Sequence, residues 1–117
     1  MIRRSGEFKK ETVVGLKDGK GQIEMEHLLE VGKNEFNGKG RLFAKNTLKP
    51  GCSIGFHKHE GDAEAYYILK GEATFDDNGT KTVLKAGDLA YTPHGESHSI
   101  ENTGDTDLEF LALILFN

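Results

Sequence analysis

The chain has one cysteine, Cys52, which excludes an internal disulfide and fits a reducing compartment. It has only two prolines and no Ser/Pro-rich tract, so its composition is not that of a disordered segment. A basic excess is missing too. Fifteen Lys and Arg stand against nineteen Asp and Glu, for a net charge of −4. Nucleic-acid binding would want a basic stripe, and none is present. No hydrophobic run is long. The longest, Phe110 to Phe116, is far too short to cross a bilayer, and the opening Met1 to Glu7 lacks the apolar stretch of a signal peptide. These absences together predict a cytoplasmic protein with no membrane and no nucleic-acid partner. Helical periodicity with caps is absent over any ten residues, and no repeat or linker interrupts the chain.

What is abundant is glycine: fifteen in 117 residues, about twice the usual ~7%. That many glycines with so few prolines mean many tight turns. The length suits one domain. Residues 1–20 are polar and irregular, an N-terminal arm with at most a short strand near Thr12–Leu16, and residues 21–117 form the domain. From Gln22 to Leu29 the chain alternates, with Ile23, Met25, His27 and Leu29 on one face and Glu24 and Glu26 on the other, which predicts a half-buried strand. Further strands are predicted over 41–48, 53–59, 64–70, 73–76, 80–84, 89–92, 97–101 and 108–116. Asp77-Asn78-Gly79 is the strongest hairpin signal among their turns. Eight or nine short strands with regular glycine turns indicate an all-β sandwich or barrel.

Chemistry concentrates in four residues: His57, His59, Glu64 and His98. His57 and His59 stand at i and i+2, so in a strand both imidazoles project from one face while Lys58 points away. Imidazole nitrogen and carboxylate oxygen are ligands that first-row divalent metals favour. The pattern predicts one divalent transition metal. The donor set suits Fe, Mn, Ni, Co, Cu or Zn and selects none of them. Three neutral histidines and one carboxylate leave such an ion a net +1 charge and, at six-coordination, two open positions.

The scaffold around these residues resembles the cupin family. Its first motif is glycine, five residues, His-x-His, three or four residues, glutamate, six residues, glycine. This chain has Gly51, His57, His59, Glu64 and Gly71 at those spacings. The second motif is glycine, five residues, Pro-x-Gly, two residues, histidine, three residues, asparagine. Here it reads Gly87, Pro93, Gly95, His98 and Asn102. The fifteen residues between the motifs match the short spacer of small bacterial cupins. The resemblance implies a single-domain cupin jelly-roll β-barrel of two packed antiparallel sheets, with the four residues above as metal ligands. Cupins include dioxygenases, decarboxylases, isomerases, epimerases, sugar-binding regulators and storage proteins. The chain looks most like single-domain bacterial cupins compared with oxalate decarboxylase, a fold-level analogy.

Tyr66 lies two residues beyond Glu64 and is expected on the pocket wall, with Ile68 deeper. Tyr91, Phe43, Phe110 and Phe116 are further candidates for the same cavity. His27 could be a pocket base or an extra ligand, but a hydrogen-bonded core or interface histidine is the expectation. Glu60 and Asp62 are expected as solvated loop acids near the metal mouth, where a proton shuttle would lie. His94 is expected to be exposed, and Cys52 to be a small buried residue.

The favoured function is a metal-dependent enzyme acting on a small polar carboxylate or carbonyl compound, of dioxygenase or decarboxylase type. A metal-dependent sugar isomerase or epimerase, and a non-catalytic metal or small-ligand binder, are the alternatives. Two strands, 64–70 and 108–116, are apolar on both faces. Strands of that kind are covered on both sides, so a homodimer is expected.

Overall fold

The computed structural model describes all 117 residues. Ten strands follow one another: β1 (Lys9–Val14), β2 (Gln22–His27), β3 (Gly40–Leu48), β4 (Ser53–Lys58), β5 (Asp62–Lys70), β6 (Glu72–Asp77), β7 (Thr80–Lys85), β8 (Leu89–Thr92), β9 (Ser97–Glu101) and β10 (Leu108–Phe116). The only helical pieces are single 3₁₀ turns at Leu16–Asp18 and Val31–Lys33. One sheet has six strands in the order β1-β2-β3-β10-β5-β8, the other four in the order β4-β9-β6-β7. Every pairing is antiparallel. The sheets pack face to face as a jelly roll, and no hydrogen-bonded ladder closes one sheet onto the other.

Period-two alternation decides which side chains meet between the sheets. On β10, Leu108, Phe110, Ala112 and Ile114 are buried while Leu111 and Leu113 are half-buried on the other face. On β5 the buried set is Asp62, Glu64, Tyr66 and Ile68. Tyr66, Ile68, Leu108, Phe110 and Ala112 join Ile23, Leu48, Phe75 and Ile100 in one continuous core. Each fully buried large apolar side chain contributes about 1.5–3 kcal/mol by leaving water.

The same register corrects five of the pocket expectations. Phe43 pairs with Leu113, Leu113 with Ala65 and Ala65 with Tyr91, so these four form one row across β3, β10, β5 and β8. That row lies on the outer face of the six-stranded sheet. Phe43 and Tyr91 therefore point away from the cavity, and Tyr91 is 61% exposed. Phe110 and Ile68 face inward but are wholly buried in the core. Phe116, the last residue of β10, is 45% exposed and lies with Ala63, Ala65, Leu113 and Leu115 around a separate surface groove.

The N-terminal segment is built into the fold. β1 adds to the edge of β2 over six residue pairs, and the 3₁₀ turn that follows lies against β4. Contact there is backbone on backbone. A Cβ at Gly55 would collide with the carbonyl of Lys17, and one at Gly19 with that of Ser53. Arg3 fastens the start of the chain through two parallel bonds to Glu35, Nη1 to Oε1 at 3.1 Å and Nη2 to Oε2 at 2.9 Å. It also donates to the carbonyl of Leu28 at 2.7 Å.

The hydrogen bond from Arg3, helped by the backbone N–H of Glu30, holds the Glu35 carboxyl down at about 2 against an ordinary 4.5. A depressed carboxyl stabilises the fold above its unfolded pKa and loses that effect as pH falls through the folded one. Arg3→Met should therefore lower the melting temperature at pH 6, and the gap from wild type should close as pH falls from 4.5 towards 2. Thermal melts across that range read the effect. A gap that persists at low pH would mean the guanidinium acts through the Leu28 carbonyl alone.

Candidate metal centre

The four motif residues come from three strands and one turn of both sheets. His57 is the next-to-last residue of β4 and pairs directly with His98 on β9. Glu64 sits on the inward face of β5. His59 follows β4 and is clamped by the Pro93-His94-Gly95 turn. Its N–H donates to the Glu96 carbonyl at 2.9 Å, and its own carbonyl accepts from the Gly95 N–H at 2.7 Å. Gly95 has φ +88°, a left-handed conformation that glycine adopts without a Cβ penalty.

One donor atom from each of the four lies within 4.8 Å of every other. His59 Nε2 and His98 Nε2 are 3.0 Å apart, and each is 3.1 Å from Glu64 Oε1. His59, Glu64 and His98 are buried, and His57 is half-buried. Tyr66 stacks on the His98 ring, centroids 5.0 Å apart and planes 14° from parallel.

The opposite ring nitrogens fix the tautomers. His57 Nδ1 is 2.7 Å from the Gly55 carbonyl, and His59 Nδ1 is 2.7 Å from Asp62 Oδ1. Both partners only accept, so each Nδ1 carries the proton and each Nε2 carries a lone pair. His98 Nδ1 meets the Thr92 hydroxyl at 2.7 Å, which holds the third ring the same way round. Three ring Nε2 atoms and a carboxylate thus converge on one small volume. Without a cation they repel one another unless a proton on a ring Nε2 takes its place. Ligands cis to one another on an ion with bonds of ~2.1 Å sit about 3 Å apart, which is the separation seen between the buried donors. The cluster is compatible with one metal ion.

The protonation directions follow. Burial drives the His57 pKa down, and the nearby rings add to that, so its Nε2 stays free at neutral pH. The hydrogen bond to Glu64 raises that of His59, with Asp62 adding to it. Burial opposes ionisation of Glu64, but with no ion bound a proton taken up at His59 Nε2 or His98 Nε2 is donated to Oε1, which outweighs burial and holds the carboxyl below its ordinary value. Burial, with Glu64 beside it, pushes the Tyr66 hydroxyl well above its ordinary range and keeps it neutral.

A cavity of about 250 Å³ opens onto the cluster. His57, His59, Glu64 and Tyr66 form one side, and Leu42, Ile54 and Ile114 supply apolar wall. β1 and β2 close it through Val13, Met25 and the pair His27–Glu11, whose Nε2 and Oε1 are 2.8 Å apart. His27 is outside the metal cluster but inside the same cavity. Glu60 is a surface acid near Lys58, and His94 is exposed with Nδ1 accepting from the Gly61 N–H. Cys52 is half-buried against the core.

Asp62 differs from its expectation. It is buried, with Oδ1 on His59 and Oδ2 accepting from Arg41 Nε at 2.9 Å. Burial pushes its pKa up, but the bonds from His59 and Arg41 prevail and hold the carboxyl below its ordinary value. The signal was present: Asp62 is two residues before Glu64, so a strand that points Glu64 inward points Asp62 inward as well. Arg41 and Asn46 gave no such signal, because their places depend on strand pairing.

Asp62→Asn offers His59 Nδ1 an amide that can donate, which favours the wrong tautomer. Calorimetric titration with Co(II) should show affinity reduced about 10–100-fold with the circular dichroism spectrum unchanged. Unchanged affinity would leave Asp62 only the task of anchoring Arg41.

Residues 45–114 match the family model described as a cupin domain. The chain is 55% identical over 115 residues to an oxalate-binding protein of Thermotoga maritima, covering 98% of this chain and 93% of that protein. A crystal structure of a predicted oxalate decarboxylase from Thermotoga maritima superposes with a TM-score of 0.91 at 53% identity, over the full length of both chains. The oxalate decarboxylase of Bacillus subtilis is 33% identical over 72 residues, which cover 57% of this chain but 19% of that enzyme. The chain belongs to the cupin family.

Proposed function

We propose that His57, His59, Glu64 and His98 hold one divalent transition metal, and that the cavity beside it binds a small carboxylate or carbonyl compound through oxygen. On this reading the protein is a metal-dependent enzyme of oxidative or decarboxylating type. One observation carries it: three imidazoles turned by outer hydrogen bonds so that every free Nε2 meets Glu64 at a cavity floor. When bound, the ion supplies a Lewis acid that polarises a ligand oxygen. The chain's own groups orient that ligand and exclude water. Tyr66 backs the His98 ring, and the apolar wall excludes solvent from the mouth. The name of the Thermotoga maritima relative supports a small acid as the ligand class. An isomerase or epimerase is the second reading, favoured by His27–Glu11, an imidazole–carboxylate pair in the same cavity.

Protein loaded with Mn(II) should bind oxalate in calorimetry, and chelator-stripped protein should not. His59→Ala and His98→Ala should each lose metal and melt at a lower temperature. Full metal occupancy in both variants would refute the ligand assignment.

We also infer a homodimer through the outer face of the six-stranded sheet, in a protein of the cytoplasm. Tyr67, Leu69, Leu89, Tyr91, Leu115 and Phe116 are each 40–64% exposed there, beside Leu111 and Leu113. So much contiguous apolar surface is uncommon on a monomer, and no helix of this chain covers it. A second copy related by a two-fold axis matches like patch to like patch. Light scattering should give twice the 12.9 kDa chain mass. A monomer at micromolar concentration would overturn the dimer.

A further inference from the structure

Asn46 is the polar residue of the core that the metal site leaves unexplained. It stands on the inward face of β3, paired with Met25 on β2 and Phe110 on β10. Only 2% of it is exposed, it lines the cavity, and its Oδ1 is buried with no hydrogen-bond partner. A buried acceptor left unpaired destabilises the fold. An apolar residue of the same size would remove that cost, as Leu48 does two positions on. A group kept at such a cost is a candidate contact for something that enters the cavity.

Its position says how far from the metal that contact lies. Leu42, four residues earlier on β3, is in register with Ile114 and through it with Glu64. Asn46 is thus roughly 13 Å along the strand direction from the Glu64 row. The wall beside it is polar as well, since His27 and Glu11 line the same cavity from β2 and β1. The cavity has two polar ends, a metal cluster on β4, β5 and β9 and an amide on β3.

The chemistry of the amide says what it contacts. Oδ1 needs a donor, and Nδ2 offers two hydrogens. A hydroxyl satisfies both at once. Oxalate, a dianion at neutral pH, has no donor to give and is too short to leave the metal. We infer that Asn46 is a specificity-determining residue, and that the ligand is a polyhydroxy acid, its carboxylate end at the metal and a distal hydroxyl on the Asn46 amide. The inference rests on the metal-and-acid reading above and names the ligand class within it. A site built around a hydroxyl rejects the analogue lacking it, because its own polar group is then left unpaired.

Matched ligands test it. Calorimetry on Mn(II)-loaded full-length protein would compare D-gluconate and L-threonate with 2-hydroxybutyrate, which has the same chelating α-hydroxycarboxylate head and no distal hydroxyl, and with oxalate. At least one polyhydroxy acid should bind roughly tenfold or more tightly than 2-hydroxybutyrate. In Asn46→Leu the preference should fall to within about twofold while oxalate affinity holds, and the variant should melt at or above the wild-type temperature. Asn46→Ala carries the same comparison should the leucine variant not fold. A preference that survives both substitutions, no preference in the wild type, or an Asn46→Leu protein that folds but melts well below wild type would each overturn the inference while leaving the metal reading standing. Wild-type protein that carries Mn(II) yet binds none of these acids would overturn that reading and the inference with it.

Discussion

Mutual repulsion among four lone-pair donors is the constraint around which the interior is organised. His57, His59, Glu64 and His98 crowd their donor atoms to as little as 3.0 Å, in a place where water cannot screen them. Such a cluster is stable only if something outside it prevents the rings from turning away. The Gly55 carbonyl, Asp62 and Thr92 do this from behind, one for each imidazole. Their effect propagates outward. Asp62 is held by Arg41, and the backbone of Gly55 is covered by Lys17 from the N-terminal segment.

That dependence explains why the first twenty residues matter to the site. They add strand β1 to the sheet, cover β4 and contribute Glu11 and Val13 to the cavity wall. Arg3 and Glu35 pin their beginning. The two faces of the six-stranded sheet then divide the work. Its inner face supplies core and cavity, while its outer face keeps an apolar surface on β5, β8 and β10.

The polar groups of the cavity fall into two kinds. Those at the metal end are largely engaged: His59 and His98 have a partner at both ring nitrogens, His57 has one at Nδ1, and Glu64 lies within hydrogen-bond reach of His59 and His98. Asn46 at the other end is not engaged. A folded protein tolerates few such groups, and the contrast between an engaged cluster and an unsatisfied amide gives the cavity its polarity from end to end.

The sequence by itself determined the all-β class, the ten motif positions and the four convergent donors, because strand alternation and fixed turn residues are local properties of a chain. It also placed Tyr66 on the pocket wall, two residues from Glu64. Phe43 and Tyr91 were misplaced because a side chain's face follows from cross-strand register, and register is set between strands far apart in sequence. Phe110 and Ile68 were placed on the right face at the wrong depth, since depth depends on what the opposite sheet packs against them. Asp62 is legible in the same alternation but looks like a loop acid, because β5 begins two residues earlier than its apolar pattern. The roles of Arg41, Asn46 and the His27–Glu11 pair were decided only by tertiary structure. Each faces a partner or a cavity assembled from strands that sequence order does not place side by side.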